Sequence, residues 1–153
     1  KGYKHMRVYC GIGVYKIKTT DIFGTLIRSD FFLGANLAFT IEHRYKKQPS
    51  GVETERHFPV FHFGSLKELK DSLQPDCQIV FVELSPKANS LEKFSHPERA
   101  VYILGAEDQG VPEEMMRGYP VVQIPETRDR GSLNVAVAGS ILLYDRLAKQ
   151  LNK

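Results

Sequence analysis

The chain of 153 residues is 42% hydrophobic and 25% charged, which is typical of one globular domain and excludes a disordered or collagen-like protein. No apolar run approaches the roughly 20 residues of a membrane-spanning helix, and no signal-peptide pattern opens the chain. We therefore expect a single domain over residues 1–153 without membrane association. Because the sequence begins at Lys1, its natural start is expected at Met6 or before Lys1.

The net charge of +3 is unevenly distributed along the chain. Residues 1–56 carry ten Lys and Arg against five Asp and Glu, whereas residues 57–153 carry eleven against thirteen. The basic part includes the cluster His43-Arg44-Tyr45-Lys46-Lys47. Cations next to an aromatic ring suit phosphates and a stacked base, although a solvated loop has the same composition.

Two cysteines, Cys10 and Cys77, cannot form a disulfide framework or a CxxC site. Both lie in apolar segments, so we interpret them as buried thiols in a reducing, cytoplasmic compartment. His57 and His62 are five residues apart in a predicted strand, which places them on opposite faces. No metal site is expected.

Strand patterns alternate with helical patterns along the chain. The predicted strands are 7–15, 36–41, 58–63, 78–84, 101–104 and 121–124. The predicted helices follow Thr19-Thr20-Asp21, follow Ser65, and cover 112–117 and 133–151. In the last helix the inward residues are expected to be Val137, Ile141 and Ala148, and the outward ones Arg146, Lys149 and Gln150. This alternation predicts an α/β fold, a mainly parallel sheet with helices on both faces.

In open α/β sheets, ligands bind beyond the carboxyl ends of the strands. The loop 104–110 leaves a buried strand there, and its glycines allow the backbone to approach a ligand closely. A plain glycine-rich turn is the alternative. No Lys-Ser/Thr pair follows Gly110, so the loop does not indicate nucleotide hydrolysis.

A second polar loop, 124–134, joins the last strand to the last helix. Ser132 and Asn134 stand at the helix start, where free backbone N–H groups cluster. Ser132 is alternatively only an N-cap. Arg28 is a cation on an otherwise apolar helix, and its alternative role is a surface ion pair.

Three segments together resemble the motifs of SpoU-type (TrmH-type) RNA 2′-O-ribose methyltransferases of the SPOUT class. The first motif matches Gly24-Thr25-Leu26-Ile27-Arg28-Ser29, and the second matches Ile103-Leu104-Gly105-Ala106-Glu107-Asp108-Gln109-Gly110. The third matches Ile124-Pro125 and then Ser132-Leu133-Asn134-Val135-Ala136-Val137-Ala138-Gly139-Ser140. The resemblance covers residues 7–147 and keeps the order and spacing of the motifs.

The resemblance implies a C-terminal trefoil knot that holds S-adenosylmethionine, and a homodimer with the final helix at its interface. It carries cofactor contacts over to Leu84, Leu104, Gly105, Gly110, Ile124, Pro125, Ser132 and Leu133. We expect no separate RNA-binding domain within residues 1–153.

The implied reaction transfers a methyl group to a ribose 2′-hydroxyl of RNA. The expected substrate is tRNA, and rRNA is the second choice. Arg28 matches the arginine to which the family assigns activation of this hydroxyl. Because a guanidinium stays protonated, we expect Arg28 to stabilise the developing alkoxide. Ser132, Asn134 and Glu107 are expected to fix the loops and position the ribose. Candidate phosphate contacts are Arg44, Lys46, Lys47, Arg128 and Arg130.

One residue departs from the family pattern. Ile22 stands where the family usually has Asn, two residues before the glycine of the first motif, and Asp21 is its neighbour. This departure favours one alternative, a catalytically weakened cofactor- and RNA-binding dimer. An unrelated doubly wound nucleotide-binding domain is the third hypothesis.

Overall fold

The computed structural model describes residues 8–46 and 58–153. The strands are β1 (Tyr9–Tyr15), β2 (Leu37–Ile41), β3 (Val60–Phe63), β4 (Gln78–Val82), β5 (Asn89–Ser90), β6 (Arg99–Gly105) and β7 (Val121–Gln123). The helices are α1 (Thr20–Phe32), α2 (Leu66–Ser72), α3 (Glu113–Met116) and α4 (Val135–Leu151), with a 3₁₀ turn at Leu91–Lys93. Met6, Lys47 and His57 lie outside the described residues.

The seven strands form one parallel sheet in the order β3-β2-β1-β6-β4-β7-β5. At its centre, Gly13 of β1 pairs with Phe39 of β2 and Ile103 of β6. A Cβ at Gly13 would lie 2.3 Å from the Phe39 ring, so only glycine lets this large side chain cross the strand. The central strands are buried on both faces, as expected for near-continuous apolar runs.

Helices cover both faces of the sheet, which confirms the predicted fold class. Phe23 of α1 and Leu142 of α4 belong to one buried cluster, on one face of the sheet. Leu69 of α2 and Met116 of α3 belong to the other. Within the described residues, no helix combines the length and apolarity needed to cross a membrane.

The helix ends follow their local sequence signals. Thr19 accepts a hydrogen bond from the Ile22 amide at the start of α1, and Ser65 accepts one from Glu68 at the start of α2. After α1, Gly34 has a φ of +100°, a conformation that ends the helix and favours glycine. The first two helices therefore begin where the sequence predicts, after Thr19 and after Ser65.

The predicted faces of α4 were wrong. Val137 and Ile141, expected inward, are 47% and 38% exposed, whereas Arg146, expected outward, is 3% exposed. Its guanidinium donates hydrogen bonds to the carbonyls of Tyr9, Pro97 and Glu98 and to the Tyr102 hydroxyl. Carbonyls at the amino end of the sheet thus supply the acceptors that a buried cation requires.

The neighbouring turn of α4 is held in the same way. Asp145 accepts a hydrogen bond from His96 and forms an ion pair with Lys149. Lys149 also donates to the carbonyls of Leu91 and Phe94. These contacts fix the end of α4 against residues 91–99, far from the carboxyl ends of the strands.

Element boundaries differ from the predicted ones by a few residues. Helix α4 begins at Val135 rather than at 133, and β4 ends at Val82 rather than at 84. The short edge strand β5 was not predicted, because two polar residues carry no strand pattern.

Candidate functional site

A cavity of about 90 Å³ lies where the carboxyl ends of β4, β6 and β7 meet the start of α4. These three strands are neighbours in the sheet, with β4 in the middle. The loops 104–110 and 124–134, which the sequence singled out, both contribute to its wall. The cavity therefore lies at the edge of the sheet where an open α/β fold binds its ligands.

Seven of the eight predicted cofactor residues line this cavity, namely Leu84, Leu104, Gly105, Gly110, Ile124, Ser132 and Leu133. Pro125 is exposed and lies outside the lining. Six further lining residues were not predicted from the sequence as site residues, namely Val82, Glu83, Ala106, Glu126, Val135 and Ala138. Most of these flank a predicted residue, so their positions follow from the strand and helix ends.

Two glycines shape the cavity wall. A Cβ at Gly105 would lie 2.6 Å from the backbone of Gly110, and one at Gly110 would lie 2.9 Å from a carboxylate oxygen of Glu83. Gly110 also has a φ of +67°. The loop after β6 can fold back on itself this closely only because both positions lack a side chain.

Glu83 is the main site residue that sequence reasoning missed. It follows the apolar strand β4, and its Oε2 accepts a hydrogen bond from the Val111 amide at 2.8 Å. Its Oε1 accepts one from the Leu84 amide at 3.1 Å. The only available signal was a lone carboxylate at the end of a buried strand. Glu83 ties the end of β4 to the loop after β6.

Glu107 and Asn134 hold the start of α4. The Val135 amide donates to Glu107 Oε1 at 3.1 Å, and the Ala136 and Val137 amides donate to Asn134 Oδ1. Asn134 is thus the N-cap, which makes the alternative role of Ser132 as the N-cap wrong. Ser132 is exposed and lines the cavity, and its hydroxyl is not used to begin the helix.

The structure does not bring Arg28 to this cavity. Arg28 is exposed on α1 and is absent from the lining of the cavity in its own chain. Ile22, the departure from the family pattern, packs against the core instead of facing a polar site. Its neighbour Asp21 is exposed in the first turn of α1.

Four of the five predicted phosphate contacts lie on described loops, Arg44 and Lys46 after β2 and Arg128 and Arg130 in the loop 124–134. Lys46, Arg128 and Arg130 are exposed, whereas Arg44 is half-buried. Arg44 forms a bidentate ion pair with Asp108, and its Nε donates to the Lys16 carbonyl at 2.7 Å. Lys47 lies outside the described residues. One of the proposed cations is therefore already used to join loops.

Aromatic and histidine side chains cluster at the ends of β2 and β3. The buried Thr40 hydroxyl lies 3.2 Å from His43 Nδ1 and 2.7 Å from His62 Nδ1, and the His43 ring stacks on Tyr45. Burial, and then the neighbouring His43, lower the pKa of His62. Within residues 8–46 and 58–153, no three His, Cys, Asp or Glu side chains group as metal ligands do.

The chain matches the model of the SpoU rRNA methylase family over residues 11–144. This match covers most of the chain and includes the three motif segments. The chain belongs to the SpoU rRNA methylase family. Members of this family have the knotted α/β fold that the resemblance implied.

Solved structures of low sequence identity share the fold. The "A. aeolicus TrmH/SpoU tRNA modifying enzyme" superposes with a TM-score of 0.81 at 20% identity, covering 99% of this chain and 83% of that one. A structure concerned with the 2-OH methylation of C/U34 on tRNA superposes with a TM-score of 0.80 at 21% identity, covering 95% of this chain and 98% of that one. The SpoU methyltransferase AviRb from Streptomyces viridochromogenes, in complex with AdoMet, superposes with a TM-score of 0.80 at 19% identity. This match covers 94% of this chain and 58% of that one.

A curated relative matches part of the chain. It is the mouse (Mus musculus) tRNA (guanosine(18)-2'-O)-methyltransferase TARBP1, 31% identical over 74 residues. The matched region is 48% of this chain but 5% of that protein. The chain thus spans a small part of the length of this curated relative.

Proposed function

We propose that the protein transfers the methyl group of S-adenosylmethionine to a ribose 2′-hydroxyl of RNA. The observation that carries the proposal is the cavity at the ends of β4, β6 and β7, because the second and third motifs of a SpoU family member meet there. AviRb, which has the same fold, binds AdoMet, and this supports the choice of cofactor.

The residues of the cavity fit this cofactor. Leu84, Leu104, Ile124 and Leu133 offer apolar surface for an adenine ring. The close approach of Gly105 and Gly110 leaves backbone groups, rather than side chains, facing the ligand. These residues would hold the cofactor, and the exposed Ser132 hydroxyl offers a polar contact at the rim.

S-adenosylmethionine, when bound, supplies an electrophilic methyl group on a positively charged sulfur. A ribose hydroxyl becomes a good nucleophile only as it loses its proton. Arg28 is the group that we assign to stabilise the forming alkoxide, because a guanidinium is a permanent cation with several donors. Glu107 and Asn134 keep the start of α4 in place, so that Ser132 and Leu133 keep their positions in the wall.

A homodimer is part of this proposal. Val137, Ile141 and Tyr144 recur at helical spacing on α4, and all three are exposed. An apolar stripe of this kind is typical of an interface between subunits. A second copy of the chain would cover it, and a site shared between subunits would give Arg28 access to the cavity of the partner.

The proposed substrate is tRNA first and ribosomal RNA second. The descriptions of three similar proteins name tRNA, namely the TrmH/SpoU enzyme, the structure of C/U34 methylation and the mouse methyltransferase. Exposed Lys46 on the loop after β2, and Arg128 and Arg130 on the loop 124–134, suit phosphate contacts. The free thiols of Cys10 and Cys77 suit a cytoplasmic protein.

Methyl transfer from radiolabelled S-adenosylmethionine tests the function. The protein should label a tRNA fraction more strongly than a ribosomal RNA fraction, and nuclease digestion should yield a dinucleotide resistant at one 2′-O-methylated ribose. Label on a base, or no label in either fraction although the cofactor binds, would refute the proposed reaction.

The position of Ile22 supports the second candidate, a dimer that binds cofactor and RNA without catalysis. Its side chain packs against the core, so the polar amide usual in the family is missing. An Ile22→Asn variant separates the two candidates. If the wild type is weakened, the variant gains methyl transfer at unchanged cofactor affinity, whereas an already active wild type gains nothing.

A further inference from the structure

Acidic side chains line the cavity without a basic side chain from the same chain among the described residues. Glu83, Glu107 and Glu126 are all in the lining, and no Lys, Arg or His of the described residues joins them. The cavity combines these three carboxylates with an otherwise mostly apolar wall. Arg128 and Arg130 belong to the same loop as Glu126 but are exposed and lie outside the lining.

Two of the three carboxylates are fixed in place. Glu83 accepts hydrogen bonds from the amides of Leu84 and Val111, and Glu107 accepts one from Val135. An oxygen of Glu83 also lies within 2.9 Å of where a Cβ of Gly105 or Gly110 would be. These charges cannot swing away from the cavity without breaking the bonds that shape its wall.

Fixed negative charge stabilises a cation more than a neutral group of the same shape. The effect is larger in a partly desolvated cavity than in bulk water, because the effective dielectric constant is lower. S-adenosylmethionine and its product S-adenosylhomocysteine differ by one methyl group and by the positive charge on sulfur. The cavity can distinguish them only through these two differences.

We infer that the cavity, through Glu83 together with Glu107 and Glu126, selects the positively charged methyl donor over the neutral product. This inference rests on the proposed cofactor. Glu83 is then a specificity-determining residue with a second role, since its hydrogen bond to Val111 also holds the loop after β6. Product release is favoured because the attraction disappears once the sulfur becomes neutral.

The two roles of Glu83 predict different results for the two ligands. Loss of loop order weakens both ligands equally, whereas loss of negative charge weakens only the cation. The ratio of the two dissociation constants therefore reports charge alone. For one unit charge at several ångström in an open cavity, neutralisation should change this ratio by about three- to tenfold.

The experiment is calorimetry of S-adenosylmethionine and S-adenosylhomocysteine on wild type and on Glu83→Gln and Glu126→Gln. Glutamine keeps the size and one acceptor oxygen of glutamate. Glu126 makes no hydrogen bond to other described residues, so its variant tests charge without disturbing the loop. Glu114→Gln, exposed on α3, is the matched control.

We expect each cavity variant to lose affinity for the methyl donor relative to the product, and the control to keep the wild-type ratio. Sinefungin, in which an amine-bearing carbon replaces the methylated sulfur, should follow the methyl donor because it is also cationic. An unchanged ratio in both cavity variants, with both ligands still bound, overturns the selectivity. If the wild type binds neither ligand, the proposed cofactor itself is wrong.

Discussion

Arg44 and Asp108 join two loops that lie 64 residues apart in the chain. The two guanidinium NH groups donate to the two carboxylate oxygens of Asp108 at 3.0 and 2.8 Å. The hydrogen bond from Arg44 lowers the pKa of Asp108, so the pair stays ionised in mild acid. The basic loop after β2 is thereby attached to the cavity loop after β6.

Breaking this ion pair should weaken cofactor binding, because Asp108 lies between Gly105 and Gly110. Asp108→Asn is expected to lower the affinity for S-adenosylmethionine by about two- to fivefold, the range of an exposed ion pair. The double variant Arg44→Asp with Asp108→Arg should regain part of it. Calorimetry measures both, with the exposed Asp129→Asn as control. Full affinity in Asp108→Asn would show that the pair does not order the loop.

Arg28 should act on the reaction and not on cofactor binding, since it is absent from the cavity lining of its own chain. Arg28→Ala is expected to lower the rate of methyl transfer about a hundredfold or more, at an unchanged dissociation constant for S-adenosylmethionine. Single-turnover kinetics measures the rate of methyl transfer, and calorimetry measures the dissociation constant for S-adenosylmethionine. Arg117→Ala, also exposed, should change neither; loss of cofactor binding in Arg28→Ala would remove the proposed role.

The apolar stripe on α4 should govern oligomeric state. Ile141→Glu places a charge in the middle of the exposed set Val137, Ile141 and Tyr144, and a desolvated charge is unfavourable at an interface. Sedimentation velocity should show a dimer for wild type and a monomer for the variant. Phe61→Glu, with similar exposure on the opposite face of the sheet, should remain a dimer. A monomeric wild type would contradict the proposed assembly.

Asp30 should make stability fall with rising pH. It is fully buried between α1 and α4, its carboxyl oxygens have no hydrogen-bond partner among the described residues, and burial raises its pKa to about 8. The folded state therefore retains a proton that the unfolded state loses near pH 4. The free energy of unfolding that protonated Asp30 contributes is complete below about pH 4. It is lost progressively until the pH passes about 8.

Urea unfolding between pH 5 and pH 8 tests this. The contribution of Asp30 is a loss of about 1.4 kcal/mol per pH unit in this window, and Asp30→Asn should remove it. Asp71→Asn, an exposed carboxylate on α2, should keep the wild-type slope. Parallel curves for wild type and Asp30→Asn would show that this carboxyl does not titrate as burial requires.

The sequence predicted the parallel sheet, its helices and most of the cavity, because buried strands and glycine-bearing loops have local patterns. It could not predict which face of α4 is buried, since the helix carries two apolar stripes. One, with Leu142 and Leu143, faces the core, and the other, with Val137 and Ile141, faces outward. Hydrophobic periodicity shows that a helix carries an apolar stripe, but it does not show which surface that stripe packs against.

Glu83 and Arg146 were missed for a related reason. Each is a charged residue whose partners lie far away in the chain, at Val111 for Glu83 and at Tyr9 for Arg146. Local composition suggests that such residues are solvated, because charged groups are rarely buried. Only the three-dimensional arrangement brings the backbone groups that satisfy them together.

The burial of Arg146 has a consequence for how the chain folds. Its acceptor at Tyr9 is 137 residues away, and its acceptors at Pro97 and Glu98 precede it by nearly 50. These bonds form only when α4 has docked against the amino ends of β1 and β6. Contacts of such long range slow folding. The final docking of α4 is thus expected to be the slow step by which the protein reaches its native state.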